Sequence, residues 1–188
     1  MDFSVLVGPV SVVWACFEIL LVRLKHSDQT SSSRDNNSIR ILWLAIFLSV
    51  TAGVVVRISG IGNLSFASSP MSVVGLTLIV AGLVVRGVAV LNLRKYFTVD
   101  VAILRDHAIV NTGLYRYLRH PAYAGLLLSF TGLAITFANW LSLLVIVVPI
   151  TWVFSYRIRV EERALTEHFG DSYRTYCSST YRLIPWIY

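Results

Sequence analysis

From residue 122 to residue 156 the chain runs for 35 positions without an Asp, Glu, Lys or Arg. A single α-helix of that length would extend about 50 Å, whereas the hydrocarbon core of a bilayer is about 30 Å thick. The stretch therefore predicts two helices, and Asn139, between Ala138 and Trp140, is where the chain can turn. The expectation is a tight hairpin of two short membrane helices, 122–138 and 140–156, the second kinked at Pro149.

Uncharged stretches at 3–22, 41–56 and 71–85, the last continuing to 93, raise the expected number of membrane helices to five. Composition agrees: 56% of the chain is hydrophobic and 14% charged, against about 25% charged in soluble domains. The fold class expected is an all-α integral membrane protein, its hairpin followed by a cytoplasmic amphipathic C-terminal helix. A length of 188 residues suits one domain, with three N-terminal helices in 1–93 and the polar loop, hairpin and C-terminal segment in 94–188. The first stretch has neither a basic n-region nor a small-residue cleavage site, so it reads as a helix and not a signal peptide.

Basic residues set the expected orientation. The 23–40 loop, the 94–120 segment and the tail from 157 together hold 14 of the 16 Lys and Arg residues. With five helices these three regions share one side, which the positive-inside rule makes cytoplasmic, leaving the N-terminus outside. The net charge of +6 then reflects topology and contact with membrane lipids. No basic stripe suited to nucleic acid forms.

Other chemistry is excluded by spacing. The histidines, His26, His107, His120 and His168, are not paired at i, i+4, and Cys16 and Cys177 have no partner at metal-ligand spacing. No GxGxxG turn follows a strand pattern. The polar 26–38 stretch, "HSDQTSSSRDNNS", reads as a mobile linker without chemistry. Gly75, Gly82 and Gly87 suit close helix packing. Glu18 and Arg86 fall inside membrane stretches, where such groups pair or snorkel.

Reactive residue types gather in two segments, 94–123 and 157–176. In the first, Pro121 fits the opening turn of a helix, where its missing N–H costs nothing. His120 then sits near the N-cap, beside backbone N–H groups that favour an anion. In the second, Arg157 and Glu161 are four apart and share a helical face. Interfacial anchoring and an exposed ion pair, contributing about 0.3–0.5 kcal/mol, account for these residues as well as a ligand site does. The short hairpin, however, returns 157–162 to the side on which 107–121 lies.

Three motifs in order resemble the isoprenylcysteine carboxyl methyltransferase family. They are "HAIVNTGLYRYLRHPAYAG" (107–125), "RIRVEERAL" (157–165) and "FGDSYRTY" (169–176). The resemblance covers 92–188, and related Arg-His-Pro turns occur in phospholipid N-methyltransferases and membrane sterol reductases. It implies S-adenosylmethionine as cofactor, bound by His107, Ala108, Ile109, Val110, Tyr115, His120, Pro121, Ala122, Tyr123 and Glu161. It also implies that Arg157 binds the carboxylate of a lipophilic substrate, prenylated or otherwise, arriving from the bilayer, with Arg119 and Glu162 as further catalytic candidates. No metal is implied. A hydroxyl or amine acceptor fits the same architecture, and an NADPH-dependent reductase is the alternative activity.

Overall fold

The apolar stretches form helices because their backbone groups have no other partners in hydrocarbon. The structure, a computed structural model, describes residues 4–24, 36–64, 68–97 and 108–185. These are helical throughout their regular parts: α1 (Ser4–Leu24), α2 (Asn36–Ser59), α3 (Ser68–Leu93), α4 (Pro121–Thr136), α5 (Trp140–Phe169) and α6 (Asp171–Ser178). Short 3-10 turns occupy Arg94–Tyr96 and Gly113–Arg116. No strand is present among the described residues, which hold only isolated bridges.

Three helical segments are long and apolar enough to cross a membrane, Ser38–Ser59, Ser69–Leu93 and Trp140–Phe169; Leu6–Leu21 and Pro121–Thr136 are shorter apolar helices. The surface is that of a membrane protein. Phe47, Ile58, Leu91 and Trp152 are each more than 60% exposed, an arrangement that water would penalise and lipid does not. Inside, Trp14, Ile79, Phe130, Ile146, Ile150 and Phe154 form the core.

The α3–α4 interface is built on paired glycines. A Cβ added to Gly82 would lie 2.5 Å from the carbonyl of Gly125, and one on Gly132 would lie 2.5 Å from the carbonyl of Gly75. The pairs are seven residues apart on each helix, two turns, so the backbones touch along one stripe. Ser129 donates to the Ile79 carbonyl within this contact, at 3.3 Å. Gly87 has open space around it and takes no part in the packing expected of it.

Asn139 makes the turn between α4 and α5. Its side chain caps α5 by accepting from the Ser142 N–H at 2.8 Å, and its amide donates to Ile61 O and Asn63 Oδ1. Ala138, with φ +45°, takes the left-handed conformation that reverses the chain. The second helix is longer than expected: α5 passes through Pro149 and ends only at Phe169, about 45 Å at 1.5 Å per residue. Its polar part, 157–169, extends beyond the apolar 140–156. Gly170, with φ +56°, breaks it before α6. The 26–38 stretch is also shorter as a linker than expected, because α2 begins at Asn36; residues 26–35 lie outside the described ones.

Candidate active site

Proline at the first position of α4 starts that helix with His120 as its N-cap. The segment before it is held by the C-terminal chain. Arg119 N donates to Tyr181 O at 2.8 Å, His120 N to Arg182 O at 3.1 Å, and Tyr181 N returns to Tyr117 O at 2.9 Å. Tyr176 closes the far side by donating to the Tyr115 carbonyl at 2.7 Å. Burial pushes its phenol well above the ordinary value, against the pull of Arg119, so it remains a donor.

A cavity opens beneath this turn. Ala108, Ile109, Val110, Tyr115, Arg119, His120, Ala122, Tyr123, Arg157 and Glu161 all line it, bringing the two separated segments to one place. Pro121 and Glu162 do not line it, and His107 lies outside the described residues. The walls continue into apolar residues of α2 and α4, among them Leu42, Ile46, Leu126 and Phe130. The cavity thus joins a polar mouth to an apolar interior.

Arg157 and Glu161 meet on one hydroxyl. The Arg157 Nε donates to Tyr123 Oη at 2.9 Å, and that hydroxyl donates to Glu161 Oε2 at 3.2 Å. Arg157 is only 2% exposed, so the surface ion pair considered from spacing is replaced by a buried relay. Glu161 keeps a third of its side chain accessible and lies 4.0 Å from His120 Nδ1.

Glu162 faces the other way and gathers cations. Arg182 Nη2 is 2.8 Å from Oε2, and Arg119 Nε and His120 Nε2 are 3.2 Å and 3.4 Å from Oε1. Burial raises its carboxyl, but hydrogen bonds and charge from His120 and Arg182 outweigh this and lower it to about 2. It therefore works as a latch between the His-Pro turn, α5 and the C-terminal chain. Among the described residues no group of three or more His, Cys, Asp or Glu gathers as a metal site.

On the opposite wall Glu18 and Arg86 settle their own question by pairing. Arg86 Nε and Nη2 donate to the two Glu18 oxygens at 2.5 and 2.7 Å, and Nη1 reaches the Ala122 carbonyl at 3.3 Å. This bidentate pair lines the cavity and ties α1 and α3 to the first turn of α4. Sequence reasoning offered pairing or snorkelling for the two and missed that they face the site. It also missed Arg182, whose only signal was a basic residue in an aromatic tail.

The model of the isoprenylcysteine carboxyl methyltransferase family matches residues 73–167, half of the chain. The chain belongs to this family. It is similar to a probable protein-S-isoprenylcysteine O-methyltransferase of Oryza sativa subsp. indica, 33% identical over 119 residues, which cover 62% of each chain. It is also similar to the protein-S-isoprenylcysteine O-methyltransferase of Saccharomyces cerevisiae, 34% identical over 125 residues, covering 65% of this chain and 52% of the yeast one. Among solved structures it resembles the eukaryotic intramembrane Ras methyltransferase ICMT, with 26% identity and a TM-score of 0.58 over 83% of this chain and 53% of the other. The chain thus spans between about half and three-fifths of the length of these relatives. Family and apolar helices together make it an integral membrane protein with an all-helical fold of the same kind.

Proposed function

We propose that this protein transfers a methyl group from S-adenosylmethionine to the carboxylate of a lipidated cysteine at the membrane–cytoplasm interface. The observation that carries this is the Arg157–Tyr123–Glu161 relay, set where a polar mouth meets apolar walls. The reading includes five membrane-crossing helices, α1 to α5, with the N-terminus outside and the C-terminus cytoplasmic. The 16-residue Pro121–Thr136 would span about 24 Å, a local mismatch that a bilayer accommodates by thinning.

The residues suit the cofactor by their donor chemistry. S-adenosylmethionine joins a cationic sulfonium and ammonium to a carboxylate and a flat base. The Glu161 carboxylate, with a third of its side chain accessible, offers a counter-charge to the cationic groups, and the positive end of the α4 dipole favours the carboxylate. Ala108, Ile109 and Val110 with Tyr115 provide an apolar wall for the base, and His120, Pro121, Ala122 and Tyr123 shape the turn around it. When bound, the cofactor supplies an electrophilic methyl on sulfur. Arg157 holds the acceptor carboxylate ionised and oriented, so no general base is needed. Positioning of this kind can supply about 7–11 kcal/mol of barrier reduction. The apolar chain of the acceptor enters sideways from the bilayer along α2 and α4.

Calorimetric titration of the detergent-purified protein with S-adenosylhomocysteine, and in parallel with NADPH, tests the reading. Saturable binding of the first and none of the second is expected. Binding of NADPH alone would place the activity among the reductases and overturn the assignments.

A further inference from the structure

Arg157 is held from two sides. Its Nε meets the Tyr123 hydroxyl of α4, while its Nη1 donates to Ser38 Oγ at 2.7 Å. Ser38 stands in the first turn of α2, 119 residues away in sequence, and is 1% exposed. Nothing in the chain's motifs marks it, since it closes the polar stretch read as a linker. Its place on the helix is informative. Ser38, Leu42 and Ile46 are spaced four apart and share one face, and Leu42 and Ile46 line the cavity whereas Ser38 does not.

We infer that Ser38 is a positioning residue for Arg157, setting the plane in which the guanidinium meets the acceptor's carboxylate. This inference rests on the proposed function. A guanidinium is flat, and bidentate recognition of a carboxylate requires the two groups to be coplanar. Nε and Nη1 lie on different edges of that plane, so the hydroxyls of Tyr123 and Ser38 together fix its tilt and not merely its location. A hydroxyl also leaves the positive charge of Arg157 intact. A carboxylate at the same place would neutralise it and compete with the acceptor. Helix α2 thereby contributes on one face both the polar anchor and, through Leu42 and Ile46, the apolar wall beneath it.

The test compares the affinity of N-acetyl-S-farnesylcysteine with that of its methyl ester, which lacks the anionic oxygen but keeps the same lipid chain. The wild type is expected to favour the acid. Ser38→Ala should shrink that preference roughly tenfold, the scale of a hydrogen bond to a charged group, while leaving ester affinity and S-adenosylhomocysteine affinity unchanged. Ser38→Thr, which restores the hydroxyl, should recover the preference. An undiminished preference in Ser38→Ala would overturn the inference. Parallel loss of acid, ester and S-adenosylhomocysteine affinity would also overturn it, since that marks a purely structural role. A wild type that binds both compounds equally would instead remove the carboxylate reading of the site, and this inference with it.

Discussion

Arg157→Ala is expected to lower turnover of a lipidated carboxylic acid by on the order of 100-fold, as loss of one preorganised electrostatic group does elsewhere. The same variant should leave S-adenosylhomocysteine affinity within about twofold, because the interaction lost is one made to the acceptor. The asymmetry follows from burial. The Arg157 guanidinium sits behind Tyr123, on the side facing α2, whereas Glu161 sits on the accessible side of the same hydroxyl. Steady-state kinetics and calorimetry on one preparation measure both quantities. Equal loss of turnover and cofactor affinity would refute this division of roles.

The adjacent glutamates should separate just as sharply. Glu161→Ala is expected to weaken S-adenosylhomocysteine about tenfold, the scale of a charge-assisted hydrogen bond, with little change in thermal stability. Glu162→Ala should do the opposite. Its side chain is 12% exposed and contacts Arg119, His120 and Arg182, and removing one partner of such a buried cluster costs about 3 kcal/mol. In a chain of this size that is a fall in midpoint of roughly 6–12 °C. The sign of its pH dependence follows. A carboxyl lowered to about 2 from an ordinary 4.5 contributes stability that is complete above the unfolded value. That contribution is lost as pH falls through 4.5 towards 2. Thermal unfolding in detergent of both variants checks the pair, and a destabilised Glu161→Ala beside an unaffected Glu162→Ala would contradict it.

Much of the site was legible because it is local. Residues 113–123 carry their own punctuation, a glycine with φ +59°, then a His-Pro helix start, and the motif 157–162 continues directly from an apolar helix. Long-range partners were not legible. Ser38 in a serine-rich stretch and Arg182 in the tail look like any surface residue until folding sets one against Arg157 and the other against Glu162. Spacing did put Arg157 and Glu161 on one helical face, yet it could not show that a tyrosine from another helix would stand between them. The fold shows the same limit. The uncharged run located the α4–α5 turn, but the length of α5 was hidden because its polar extension carries a different residue pattern on the same unbroken helix. Gly75 and Gly82 have their counterparts in Gly132 and Gly125 on α4; Gly87, chemically identical, meets open space, a difference that only helix rotation decides.

Methyl transfer to a lipidated carboxylate can be followed in proteoliposomes, with S-adenosylmethionine labelled in its methyl group and N-acetyl-S-farnesylcysteine as acceptor. Label is expected in the lipid fraction, in a form that mild base releases as volatile methanol, the behaviour of a carboxyl methyl ester. Label that resists base, as on an amine or ether oxygen, or no transfer to the lipidated acid at all, would contradict it.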